Sequence, residues 1–133
     1  MPTTSATTLG QTARLYYSET DAEGGPALLR WFTPDCRLRF NNNDVIHGRE
    51  AVTAFIVGRR HSIQRVHHRV EYIAADEETD TVALEITVEY LTVRGREIEV
   101  RGSAFLTFVG GRVDFQRVYV DARPLAAALE GEL

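Results

Sequence analysis

From Val66 onward the chain repeats with a period of two, and this alternation constrains the fold more than any other feature of the sequence. Val66, His68, Val70 and Tyr72 alternate with His67, Arg69 and Glu71. Val82, Leu84, Ile86, Val88 and Tyr90 then alternate with Ala83, Glu85, Thr87 and Glu89. A third run puts Ile98, Val100, Gly102, Ala104, Leu106 and Phe108 on one parity. Residues two apart share a face of a strand, so each of these runs predicts a half-buried strand with its even members inward. Residues 113–121 predict a last strand whose own pattern favours neither parity, with Phe115 and Tyr119 opposite Gln116, Val118 and Val120. The breaks between runs are short: an acidic turn at residues 76–80, Arg94-Gly95, and Gly110-Gly111. Short turns between long strands make antiparallel hairpins.

Ahead of these strands the period is helical. Leu9, Ala13, Tyr16 and Tyr17 predict a helix over 9–21, with Thr7 or Thr8 as its cap. Pro26 opens a short second helix running through Phe32, just after Gly24-Gly25. From Asp35 the period drops to two, with Cys36, Leu38, Phe40 and Asn42 inward. Residues 41–44 turn the chain, and Ala51, Val52, Phe55 and Ile56 stripe a third helix over 49–60. Helices gathered before a run of long antiparallel strands predict an α+β domain. Its curved antiparallel sheet wraps around three N-terminal helices as a cone whose mouth is a natural pocket.

A chain of 133 residues fits one such domain, expected over 9–125 with a flexible lead-in at 1–8 and a tail at 126–133. No apolar run approaches the ~20 residues of a membrane span, nothing at the start reads as a signal peptide, and Cys36 is the one cysteine. A cytoplasmic protein without a membrane partner is therefore expected. With 15 basic against 19 acidic residues the net charge is −4, a poor match to nucleic acid. No glycine-rich phosphate loop follows a strand, and the four histidines lack metal-ligand spacing with acids, so no cofactor and no metal are expected.

Several stretches together resemble the SnoaL-like branch of the nuclear-transport-factor-2-like superfamily. They are residues 16–21 with Gly24-Gly25, Trp31-Phe32-Thr33-Pro34-Asp35, residues 39–42, His47-Gly48-Arg49-Glu50-Ala51-Val52, Val66-His67-His68 and Gly111-Arg112-Val113. The resemblance spans residues 9–125 and implies a cone-shaped α+β barrel of cystatin-like form that pairs as a homodimer through its outer sheet face. It fixes no reaction, because members include ketosteroid isomerases, limonene epoxide hydrolases, polyketide cyclases, dehydratases and binders without activity.

The acids of those relatives are mostly missing here. The isomerase base falls on Phe40 and its second acid near Ser103 or Ala104. The hydrolase relay falls near Ile86, Val88 and Val118. The cyclase acid falls on Val118, two residues after Gln116. Two matches survive: the helix-one tyrosine at Tyr16 and the dehydratase-like pocket histidine at His68. An imidazole titrates near neutrality and a phenol can donate to a developing oxyanion, so His68 and Tyr16 are the candidate catalytic pair. For His68 the competing reading is a core histidine satisfied by a neighbour, and for Tyr16 a core aromatic.

Asn42 and Gln116 are the candidate polar handles for a substrate oxygen, although Asn42 also reads as a turn former. Phe32, Phe40, Phe55, Ile86, Val88, Tyr90 and Val118 supply apolar walls, and Gly102 with Ala104 would leave volume inside the cone. Glu85 and Glu89 belong to the outward parity, opposite arginines. These residues predict a cofactor-free acid–base enzyme (cyclase, isomerase or lyase) acting on a small hydrophobic polyketide-, steroid- or terpenoid-like molecule. The alternatives are a binding or scaffold domain without activity and, more weakly, an epoxide-hydrolase-like enzyme with Glu85 or Glu89 turned inward.

Overall fold

The computed structural model describes residues 8–130. Helix α1 (Leu9–Glu23) starts at Thr8, whose hydroxyl accepts the Gln11 N–H at 3.1 Å while the Gln11 side chain accepts the Thr8 N–H at 3.0 Å. This reciprocal cap satisfies two of the donors that every helix start leaves open. Ala13, Tyr16, Tyr17 and Thr20 form its buried stripe. Helix α2 (Gly25–Trp31) follows after Gly24, whose φ of 67° makes the reversal between the helices. Strand β1 (Phe32–Phe40) begins where α2 ends, so Phe32 opens a strand instead of closing a helix. A two-residue strand β2 (Ile46–His47), invisible to periodicity, precedes α3 (Arg49–Arg59).

Four long strands complete the sheet: β3 (Ile63–Asp76), β4 (Thr81–Thr92), β5 (Glu97–Val109) and β6 (Arg112–Val120). The order is β2-β1-β6-β5-β4-β3, a curved, unclosed sheet with β2 and β3 at its edges. The fold class is α+β, as the pattern predicts. The sheet is mixed, because β1 lies parallel to β6 while every other pairing is antiparallel. Helix α4 (Arg123–Glu130) packs Leu125 and Ala128 inward, and Arg96 donates to the Ala128 carbonyl at 3.3 Å. No helix among the described residues is long and apolar enough to cross a membrane.

The alternation holds wherever register is unbroken. Along β4 and β5 the pairs run without a shift from Thr81↔Thr107 to Leu91↔Glu97, which buries Val82, Leu84, Ile86 and Val88 against Val100, Ala104 and Leu106. In β3 the register slips between Val70 and Tyr72. Glu71 is the extra residue of this bulge, and the slip flips every later side chain. Tyr72 therefore faces solvent, 67% exposed, contrary to its expected inward place, and Ile73 packs inward instead.

Candidate functional site

Three walls meet over the concave face of the sheet. Helix α1 contributes Tyr16, Tyr17 and Thr20; α3 contributes Phe55, Ile56, Arg59 and Arg60; the strands contribute Leu38, Phe40, Val66, His68, Ile86, Val88, Tyr90, Gln116, Val118 and Val120. They line a cavity of about 80 Å³ that opens to solvent. The volume is below the few hundred cubic ångströms of most ligand sites.

Asp21, in the last turn of α1, organises this site. Its Oδ1 lies 2.7 Å from His68 Nδ1, and its Oδ2 accepts the His68 backbone N–H at 2.7 Å. The second bond exists because β3 is an edge strand, whose free side offers N–H groups without a strand partner. One carboxylate thus holds both the strand and the ring. Tyr17, one helical turn before Asp21, stacks on the same imidazole with centroids 4.5 Å apart and planes 30° from parallel. Arg60 closes the cluster, donating to the Thr20 carbonyl at 3.1 Å and standing 3.9 Å from Asp21 Oδ1. The Asp21 and His68 side chains are only 9% and 16% exposed.

A carboxylate facing Nδ1 keeps a proton on that nitrogen in neutral imidazole, so Nε2 carries the lone pair. Among the described residues Nε2 has no protein partner, and His68 lines the cavity. The other cavity groups are arranged to donate. Tyr16 gives its hydroxyl proton to Gln116 Oε1 at 2.6 Å. The Tyr17 hydroxyl is buried with no hydrogen-bond partner. Burial holds both phenols well above the ordinary tyrosine range, reinforced for Tyr16 by Tyr17 and for Tyr17 by the Asp21 carboxylate. Both stay protonated at neutral pH and serve as donors, never as bases.

Most of the predicted residues gather here, and three do not. His68, Tyr16, Gln116, Phe40, Phe55, Ile86, Val88, Tyr90 and Val118 all line the cavity. Phe32 is fully buried behind Tyr16, ring centroids 6.0 Å apart, because β1 starts there. Asn42 is exposed: Asn41 takes φ 53° and its side chain accepts the Val120 N–H at 2.9 Å, so β1 ends at Phe40 and its alternation stops. Ala104 is completely buried in the core and opens no volume. Gly102 opens none either, because a Cβ there would collide with the Val120 side chain and the Tyr119 carbonyl.

Glu89 lies on the outer face, 2.8 Å from His67 Nδ1 and 3.1 Å from Arg69 Nη1, and Glu85 is exposed there too. The epoxide-hydrolase-like alternative required one of them inward and loses its acid. Asp21, Arg59 and Arg60 escape periodicity altogether. A signal for Asp21 does exist in the sequence: an acid in the last turn of a helix opposes the dipole, so it stays there only with a partner.

Residues 13–115 match the SnoaL-like domain family, more than half of the chain. The chain belongs to the SnoaL-like domain family. No curated protein matches it. Among solved structures, a provisionally named SnoaL-like polyketide cyclase from Jannaschia sp. CCS1 is 19% identical with a TM-score of 0.75, covering 97% of this chain and 94% of that one. An NTF2-like protein of unknown function from Burkholderia pseudomallei K96243 is also 19% identical, with a TM-score of 0.76 over 92% of this chain and 97% of that chain. SalBIII, an epoxide hydrolase/cyclase-like enzyme of pyran ring formation in polyether salinomycin, is 16% identical with a TM-score of 0.74 over 87% and 92%. At such identities these SnoaL-like neighbours share the fold, and the reaction has to be read from the site.

Proposed function

We propose that this SnoaL-like protein is a cofactor-free acid–base enzyme that moves a proton on a small, largely apolar carbonyl compound. The observation that carries the reading is the Asp21–His68 pair at 2.7 Å, with Nε2 left for the cavity. In the reaction, His68 Nε2 takes a proton from the carbon next to the carbonyl. The C–H electrons become the enolate double bond, and the carbonyl π pair moves onto oxygen. The Gln116 amide group, whose nitrogen has no hydrogen-bond partner among the described residues, donates to that oxygen as charge develops. Asp21 keeps the ring in the required tautomer and stabilises the imidazolium. The imidazolium then returns the proton to carbon in an isomerisation, to a departing hydroxyl in a dehydration, or to an alkoxide in a ring closure.

Tyr16 moves from the role its position implied to that of a positioning residue, since its proton is already given to Gln116. The apolar walls and the modest volume favour a compact terpenoid- or polyketide-derived ring over a steroid. The names of the Jannaschia and SalBIII neighbours support ring-forming chemistry as one outcome of the same proton transfer. The assay is deuterium uptake at the α-carbon of α-tetralone in heavy water, followed by NMR. The wild type should exchange well above buffer and His68→Ala should not. Equal exchange by the two proteins would sink the proposal.

We further propose a homodimer formed through the outer face of β5 and β6. Phe105, Phe115 and Tyr119 lie there beside Arg37 and Arg117, whose guanidinium groups sit 4.3 Å over Phe115 and 5.0 Å over Phe105. Stacked aromatic and arginine side chains are the composition favoured at interface centres.

A further inference from the structure

The cavity carries a charge sign that the acidic chain as a whole does not. No aspartate or glutamate is among the residues lining it, whereas Arg59, Arg60 and His68 are. Arg60 is committed to Asp21 and the Thr20 carbonyl, and His68 Nδ1 to Asp21. Arg59, at the end of α3, pairs with no carboxylate among the described residues. Its guanidinium is held over the Phe40 ring, 4.0 Å from the centroid, 5.9 Å from that of Phe55 and beside the Tyr90 hydroxyl. A cation stacked on aromatic rings is positioned without using up its in-plane N–H donors.

The other unfilled group has the same polarity. The Gln116 amide group lines the cavity, and its nitrogen makes no hydrogen bond to the described residues. Apart from His68 Nε2, which the proposed reaction uses as the base, the cavity's free groups ask for an acceptor.

We infer that the ligand is an organic anion: an apolar ring system bearing a carboxylate, or an equivalent acidic oxygen group, that Arg59 receives at the cavity mouth. This rests on the same cavity as the acid–base reading and names its substrate class. Arg59 binds the anionic end in its N–H fork, the apolar body lies against Phe40, Phe55 and Val88, and the carbonyl reaches Gln116 and His68.

Naphthoate and naphthamide have the same shape and differ in charge, so their equilibrium affinities isolate the anion. Titration followed by NMR is expected to show naphthoate binding about tenfold more tightly than naphthamide. Arg59→Gln should abolish that preference, while Arg59→Lys should keep part of it and His68→Gln all of it. A packing role for Arg59 alone would weaken both compounds alike. Equal wild-type affinities, a preference that survives Arg59→Gln, one lost in His68→Gln, or binding of neither compound at millimolar concentration would overturn the inference. Because the readout is binding, it stands or falls separately from the acid–base reading, which the exchange assay of His68→Ala decides.

Discussion

Asp21 makes two short hydrogen bonds to a single residue, one through each oxygen. An asparagine at this position keeps only one acceptor, and its amide group meets an N–H donor on the other side. Asp21→Asn should therefore lower turnover on the order of a hundredfold, because the imidazole loses its orienting and charge-balancing partner. The accompanying stability loss should stay near 1–3 kcal/mol, as for a buried hydrogen bond replaced by a mismatch. Steady-state kinetics with thermal melts of the same protein check both figures. A second prediction concerns the lone thiol. Cys36 is fully buried, and burial pushes its ionisation up from 9.0 to about 11. Folded protein at pH 8 should resist iodoacetamide and react once urea is added. The linkage has a definite sign: the folded state holds the proton more tightly than the unfolded chain. On this account stability is undiminished below pH 9 and falls as pH rises from there toward 11. Cys36→Val should lack the part of the decline that begins near pH 9 and keep the part from the buried phenols of Tyr16 and Tyr17, which begins near pH 10.

At the scale of elements, β5 and β6 approach each other where only glycine fits. A methyl group on Gly102 would overlap the Val120 side chain and the Tyr119 carbonyl. Gly102→Ala should cost about 1–3 kcal/mol in urea unfolding, the usual range for overpacking. It should also disturb the cavity, since Val120 lines it. An unchanged midpoint would show that the pair of strands can spread. This contact also marks how far periodicity can be read. Alternation identified the inward rank of β4 and β5 because their pairing has no slip, and it put His68 on the face that lines the cavity. The inward place of Gln116 came from the family resemblance, because the last strand carries apolar residues on both parities. It misplaced Tyr72, which lies beyond the bulge at Glu71, and Asn42, which lies beyond the left-handed turn at Asn41. The bulge is set by pairing with the neighbouring strand, which alternation does not register, whereas the turn at Asn41 was legible in the asparagine run of residues 41–43. Asp21 and Arg59 were hidden for a related reason: their meaning comes from what faces them across the cavity, not from their neighbours in sequence.

For the whole molecule, the half-buried Phe105, Phe115 and Arg117 and the exposed Tyr119 on the outer face of β5 and β6 predict association. Light scattering should give twice the chain mass, and Phe105→Glu, on the outer surface and away from the cavity, should return the single-chain mass. The sheet itself remains unclosed, with β3 at its rim. There Asp21 acts as a clasp, holding a strand border that would otherwise offer its amides to another chain. The proposed proton transfer and the cover of that strand border thereby rest on one side chain. A lineage of variants drifting toward a reaction that needs no imidazole would have to find a new fastener before it could discard the old one.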